Sequence, residues 1–287
     1  MTRESILFSL LLMCLFTACT EPQETTKAPT EETISNPTNR VTLSSEIKWE
    51  KLNPARGDKS PQAGTVWGNR KGEEATGFLA KFVDGFSSPP HIHNVTYRAV
   101  VIKGLVHNDD QNAEKMWMPP GSFWTQPVGQ AHITAAKGEE NIAYVEIDSG
   151  PYLVKPTEEA FDNGERPVNV DKSNILWLDA SQTNLIETSP SSEEVQLAFL
   201  WRTAQMAGYF VKLPPGFDGQ IVSDGEVFHA IVVTGEPKYA MPNSNQIASL
   251  DPTSHFSSTG KSIHSIAIDE EEEAIIYIRT NGEIRIR

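Results

Sequence analysis

The sequence predicts an all-β protein made of two tandem copies of one unit, and three observations carry that expectation. Runs such as GFLAKFV (77–83), VTYRAVVIKG (95–104) and NIAYVEID (141–148) are β-branched or alternating, which is the period of a strand. Gly, Pro and Asn punctuate them at short intervals, and no long segment shows helical periodicity. Finally, the 28 residues from Gly77 align without gaps on those from Gly208, an offset of 131 that pairs Gly77, Lys81, Gly85, Phe86 and Gly104 with Gly208, Lys212, Gly216, Phe217 and Gly235. One inserted residue later, Pro120, Ser122 and His132 pair with Pro252, Ser254 and His264. This organisation places a first domain at 45–165 and a second at 166–287.

The chain opens as an export signal. Arg3 precedes an eleven-residue apolar run, Ile6 to Phe16, and Thr17-Ala18 supplies small residues before Cys19. Such a run is too short to span a bilayer as a helix, which takes about twenty residues. The stretch LFTAC resembles a bacterial lipobox, with Phe16 where a smaller aliphatic residue is usual. The resemblance implies a signal peptide over 1–18 and lipidation of Cys19. It also implies, from Thr20 after the cysteine, attachment in the outer membrane, facing the periplasm or the exterior; the alternative is an ordinary secretory signal with an incidental cysteine. Residues 19–44 are rich in Thr, Pro and Glu and poor in large apolar side chains, so they read as a disordered tether.

Composition removes several function classes. The only two cysteines are Cys14, in the leader, and Cys19, so the mature chain has no thiol for a disulfide, a thiolate metal site or a nucleophile. A net charge of −14 and a pI near 5.0 disfavour nucleic acid and anionic headgroups, leaving the lipid anchor as the membrane contact. There is no P-loop, dinucleotide glycine pattern, Gly-x-Ser-x-Gly elbow or His-Glu-x-x-His motif.

Chemistry concentrates between Gly85 and His132. Side chains two apart on an extended segment share a face, so His91 and His93 can present both imidazoles to one ion, and Pro89-Pro90 before them disfavour a helix. Pro127-Val128-Gly129 then turns the chain so that His132 can cross the same cavity. Three neutral imidazoles suit Fe, Zn, Ni or Cu better than Mg or Ca.

Gly85-x5-His91-x-His93 running to Gly104, followed by Gly121-x5-Pro127-x-Gly129-x2-His132, resembles the two cupin motifs in order. The resemblance implies two jelly-roll β-barrels, a bicupin, with His91, His93 and His132 as ligands of one divalent metal. Where the motifs usually carry a glutamate ligand and a closing asparagine, this chain has Tyr97 and Ala136. The carboxylate-free trio is similar to the three-histidine iron cupins, which favours Fe(II) over Zn, Ni, Cu or Mn. Tyr97 reads as a wall aromatic, as a donor or acid–base group beside the ion, or, least of all, as a phenolate ligand; the donor role, as the candidate catalytic residue, is the one expected here because Tyr97 stands where a ligand normally reaches the ion. The layout also resembles two-cupin bacterial lipoproteins of unassigned activity and the cupin half of zinc-bearing anti-sigma factors.

Through the repeat, His91, His93 and Tyr97 become Val222, Asp224 and Phe228, so the second copy is degenerate and expected to be metal-free. A site from Asp224, His229 and His264 is disfavoured because His229 follows the tyrosine-equivalent position and should face the other way. Around the first site, Trp117 and Trp124 are core filling or pocket lining, and His107 is a pocket-rim or solvent-exposed turn residue. Glu146 could replace the missing carboxylate if its face turned inward, although an outward, solvated position fits its parity better. The functional expectation is a dioxygenase-like oxidoreductase acting on a small molecule. The alternatives are a carrier or sensor that grips a ligand without breaking a bond, and an assembly protein, a homodimer included, that uses the second barrel as an interface.

Overall fold

The computed structural model describes residues 34–189 and 192–287; the leader and Cys19 lie outside them. After β1 (Arg40–Thr42), the first barrel comprises β2 (Trp49–Lys51), β3 (Gln62–Trp67), β4 (Thr76–Phe82), β5 (Ile92–His93), β6 (Tyr97–Asp109), β7 (Phe123–Gln126), β8 (Ile133–Ile147), β9 (Val154–Lys155) and β10 (Val168–Val170). The second comprises β11 (Gln196–Arg202), β12 (Ala207–Leu213), β13 (Asp218–Ser223), β14 (Phe228–Thr234), β15 (Lys238–Ala240), β16 (Ile247–Ser249), β17 (His255–Ser258), β18 (Ser262–Ala267), β19 (Ala274–Thr280) and β20 (Ile284–Ile286). The sheets run β10-β7-β6-β8-β4-β3-β2 and β5-β9 in the first barrel, and β1-β17-β14-β19-β12-β11 and β16-β15-β18-β13-β20 in the second. This all-β, doubled jelly-roll architecture is the one expected from the strand runs and the repeat.

The end of the expected tether is structured. Arg40–Thr42 pair antiparallel with β17, so the chain crosses to the second barrel before building the first. Covering the β17 edge satisfies backbone groups that would otherwise be open to another strand, which is the gain a short Val-Thr pair can supply.

In the first barrel, β6 and β8 pair along both halves and bend around Gly104, where the register shifts. Gly104 has φ +71°, and a Cβ there would run into the Asn141 side chain, so the corner requires glycine. Bending carries both strands from one layer of the roll to the other.

The two copies differ in what fills them. Ala63, Ala80 and Ala143 lie side by side across β3, β4 and β8, and the equivalent row in the second barrel is Leu197, Val211 and Ile276. The second interior is closed further by Phe228, Tyr239 and Phe256, all fully buried. Between the barrels lies a separate apolar layer to which Leu79, Val100, Phe123 and Tyr144 contribute from one side and Phe210, Ile231, Val233 and Tyr277 from the other. Facing sheets of two barrels thus share one core within a single chain.

At the centre of that layer is a pseudo-symmetric arrangement. The Trp67 and Trp201 indoles donate to the Tyr144 and Tyr277 hydroxyls, each at 2.9 Å, and both hydroxyls donate to Glu146 at 3.2 and 2.8 Å. A Cβ at Gly77 or Gly208 would run into the crossing indole. Arg98 lies over Trp201, its centre 3.8 Å from the ring centroid, and His229, its counterpart in the repeat, stacks on Trp67 at 4.0 Å.

Three side chains sit elsewhere than the sequence led one to expect. Glu146 is neither solvated nor in the metal pocket: it is 0% exposed and also accepts from Arg279 at 3.2 Å. Strand parity turned it away from the barrel interior, as expected, but the face it turned to is the second barrel. His107 is no rim or turn residue, because β6 runs on past Gly104; its ring is buried beside Trp117, on the strand face opposite Asn108. Trp117, half-buried against His107, is likewise outside the pocket.

Candidate metal centre

The backbone brings the histidines together before any side chain is considered. Residues 86–91 run antiparallel to 132–136, and His91 and His132 exchange both N–H to O=C bonds at 3.0 Å, so their side chains emerge next to each other. Two residues along the same face, His93 reaches the same point. Gly129 secures this arrangement: its N–H donates to the His93 carbonyl at 2.9 Å, and its φ of +76° makes the turn leading to His132. The Phe161 ring occupies the space a Cβ would need there.

The imidazole orientations follow from where their Nδ1–H groups go. His91 Nδ1 bonds the Pro89 carbonyl at 2.9 Å, His93 Nδ1 the Leu153 carbonyl at 3.0 Å and His132 Nδ1 the Gln130 carbonyl at 3.1 Å. A carbonyl only accepts, so each Nδ1 carries the proton and each Nε2 presents a lone pair. The three ligand atoms lie within 4.8 Å of one another, with 3.2 Å between His91 and His93 Nε2. Backbone acceptors that fix the tautomer behind every ring are the support a metal-ligating histidine ordinarily has.

Burial keeps the trio neutral. His93 and His132 are 2% and 1% exposed, and His91 9%. Desolvation, followed by the neighbouring imidazoles, holds His93 well below the usual histidine range and pushes His132 down to about 3. Desolvation lowers His91 too, partly opposed by its bond to Pro89. Three converging lone pairs in a dry pocket fit a divalent transition ion, and the neutral nitrogens leave its charge uncancelled.

Two phenols flank the cluster. The Tyr97 hydroxyl lies 3.3 Å from His132 Nε2 and donates to Asn108 Oδ1 at 2.9 Å. Burial raises its pKa, so it stays protonated. The Tyr152 ring stacks on His93 at a centroid distance of 4.3 Å, with its hydroxyl 3.0 Å from His93 Nε2. Trp124, expected as core or pocket lining, sits in the interior beside Tyr97, with its buried indole N–H near the Tyr97 hydroxyl but in no well-formed hydrogen bond among the described residues. A cleft of about 310 Å³, bounded in part by Gly129, Gln130, Ala131 and Phe161, lies beside the segment carrying His132.

The structure brings His91, His93, His132, Tyr97 and Trp124 together, and with them Tyr152, Asn108 and Gln126, which the sequence motifs did not single out. Gln126 lies inside the second motif and could have been weighed. Tyr152 follows the cis Gly150–Pro151 bond in an irregular segment, with no local pattern to mark it. The histidine trio has no counterpart at the equivalent place in the second barrel, where His264 stacks on Phe228 and is hydrogen-bonded to Tyr239 and Ser258. His229 turns away from the Phe228 side of its strand, as its parity predicted, and stacks on Trp67 of the first barrel.

Comparison with known proteins agrees with this architecture. Residues 40–287 match the model of a family described as a domain of unknown function, DUF4437. No curated protein matches the sequence. Among solved structures, a proposed dioxygenase from Nostoc punctiforme superposes with a TM-score of 0.65 at 12% identity, covering 86% of this chain and 83% of that one. Oxalate decarboxylase from Bacillus subtilis, described with Mn(II) centres, gives 0.52 at 13% identity over 89% and 80%. The 7S globulin of Momordica charantia gives 0.54 at 11% over 86% and 84%. At these identities the likeness establishes the cupin fold, which hosts enzymes and storage proteins alike.

Proposed function

The chain belongs to the DUF4437 family, and from that premise we propose that it is a lipid-anchored envelope bicupin whose first barrel holds one divalent metal, Fe(II) by preference, and acts as a dioxygenase-like enzyme on a small molecule. The observation that carries the metal reading is the set of three Nδ1–H bonds to backbone carbonyls, which aims three lone pairs at one point. A bound transition ion would supply Lewis acidity and one-electron chemistry at its open positions. The chain's own part is to keep His91, His93 and His132 deprotonated, to exclude water with Tyr97, Phe78, Tyr152 and Trp124, and to hold the phenols protonated. The likeness to a proposed dioxygenase and the absence of any carboxylate in the cluster support an oxygen-using reaction over a hydrolytic one. The envelope location rests on the Ile6 to Cys19 pattern.

Elemental analysis of the purified protein beside His91→Ala and His93→Ala tests the metal. Near-stoichiometric iron that disappears in both variants supports the reading, and oxygen uptake with thiols, diketones and catechols then tests the reaction. A second reading, a non-enzymatic carrier or sensor, is favoured by one observation: no carboxylate in the cluster is placed to act as general base. Recovery of an unaltered ligand after aerobic incubation with the iron-loaded protein would favour it.

A further inference from the structure

The two phenols beside the histidines are not equivalent, and a chain of hydrogen bonds behind Tyr97 shows why. Gln126 Nε2 donates to the Gln130 backbone carbonyl at 3.2 Å, and Asn108 Nδ2 donates to Gln126 Oε1 at 2.9 Å. Asn108 Oδ1 then accepts from the hydroxyls of Tyr97 at 2.9 Å and Thr134 at 2.8 Å. The direction of the whole chain is set by its last member, because a backbone carbonyl can only accept. Turning either amide round would set two oxygens, or two NH2 groups, against each other in a buried site. The proton of Tyr97 is therefore committed to Asn108, and the oxygen it shows to His132 Nε2 is an acceptor.

Tyr152 is in the opposite position. Among the described residues, its hydroxyl has one hydrogen-bonding neighbour, His93 Nε2. The phenol lies nearly parallel to the imidazole, at 19°, so its oxygen approaches from above the ring, whereas a metal takes the lone pair in the ring plane. A metal held by that lone pair would leave the Tyr152 O–H without an acceptor among the described residues.

We propose that Tyr152, and not Tyr97, is the residue that donates a hydrogen bond to an anionic small molecule held at the open positions of the metal in the first barrel. The assignment rests on the metal reading above and reverses the sequence-based expectation for Tyr97. It also defines the ligand class. Three neutral nitrogens leave the charge of a divalent ion unbalanced, and one free O–H beside it selects a ligand with an anionic oxygen or nitrogen acceptor.

The experiment uses the full chain loaded with Co(II), whose visible spectrum reports its inner ligands, and azide as the probe anion. Cobalt stoichiometry is measured first, on the wild type, Tyr152→Phe and Tyr97→Phe. If the wild type takes up no cobalt, or no other divalent metal, the metal reading itself fails. With cobalt bound in all three, Tyr152→Phe should weaken azide about tenfold, while Tyr97→Phe should stay within about threefold of the wild type. Unchanged azide affinity in Tyr152→Phe overturns the assignment, as does a larger loss in Tyr97→Phe. Should Tyr152→Phe fail to hold cobalt, Tyr152→Leu, which also lacks the hydroxyl, takes its place: about tenfold weaker azide with cobalt bound supports the proposal, and unchanged affinity overturns it.

Discussion

A buried imidazole that stays neutral is available to a metal where an exposed one would hold a proton. His91, His93 and His132 are all depressed below the ordinary value of 6.5, with desolvation the leading cause. Three ordinary histidines would each be roughly nine-tenths protonated at pH 5.5, which would cost about a thousandfold in metal affinity relative to pH 7.5. Equilibrium dialysis of Zn(II) at the two pH values should instead show a change of less than about tenfold. At the same scale, Gly129→Ala meets a left-handed backbone and the Phe161 ring together. It should destabilise the protein by about 1–3 kcal/mol in urea unfolding and reduce metal content, because the turn it disturbs delivers His132. Asn108 and Gln126 show what lay beyond residue-by-residue reading: their amides acquire a direction only from a backbone carbonyl several residues away.

The elements that matter most for stability are the two facing sheets, and their contact turns on one ion pair. Glu146 and Arg279 occupy equivalent places opposite Gly77 and Gly208, and their side chains are 1% and 4% exposed. Arg279 is also paired with Asp148 at 2.8 Å, and those carboxylates outweigh desolvation to raise its pKa. Removing Glu146 leaves Arg279 with Asp148 as its carboxylate and strips the buried Tyr144 and Tyr277 hydroxyls of their shared acceptor, so Glu146→Ala should cost about 2–5 kcal/mol in urea unfolding. Adding Tyr144→Phe and Tyr277→Phe to Glu146→Ala should recover part of that loss, since neither hydroxyl is then left without its acceptor. Alternation along NIAYVEID correctly set Glu146 apart from Val145 and Ile147, and so the strand face was legible. That a second sheet would cover this face was not, because alternation reports which residues share a side and is silent on what lies across from it.

At the scale of the molecule, all seven histidines are buried or packed in ways that depress their pKa values: four in the first barrel and, in the second, His229 and His264 at about 3 and His255 well below the usual range. The unfolded chain, with imidazoles near 6.5, binds protons that the folded chain does not. Stability is therefore fully present above about pH 6.5 and falls as pH drops below it, by up to about 1.4 kcal/mol per pH unit for each strongly depressed histidine. Thermal unfolding of the metal-free protein should show its midpoint falling steeply between pH 6.5 and pH 5, and a flat profile across that window would contradict the buried, neutral assignment. Excess Zn(II) should raise the midpoint most in the upper part of the window.

The sequence alone determined the fold class, the doubling, and which three histidines would be candidates to meet at one point. Each is written in a local period or a short fixed spacing: alternation for strands, an offset of 131 for the repeat, and two glycine-framed motifs for the trio. Tertiary structure decided everything that depends on which surfaces meet. It drew Arg40–Thr42 out of the tether to cover β17, turned Glu146 into the hub of the contact between barrels, and brought Tyr152 from an irregular segment onto His93. It also set the proton of Tyr97 toward Asn108. The physical reason is range. Strand and turn preferences act over a few neighbouring residues and can be read where they are written, whereas burial, ion pairing and hydrogen-bond direction are properties of atoms that only folding places side by side.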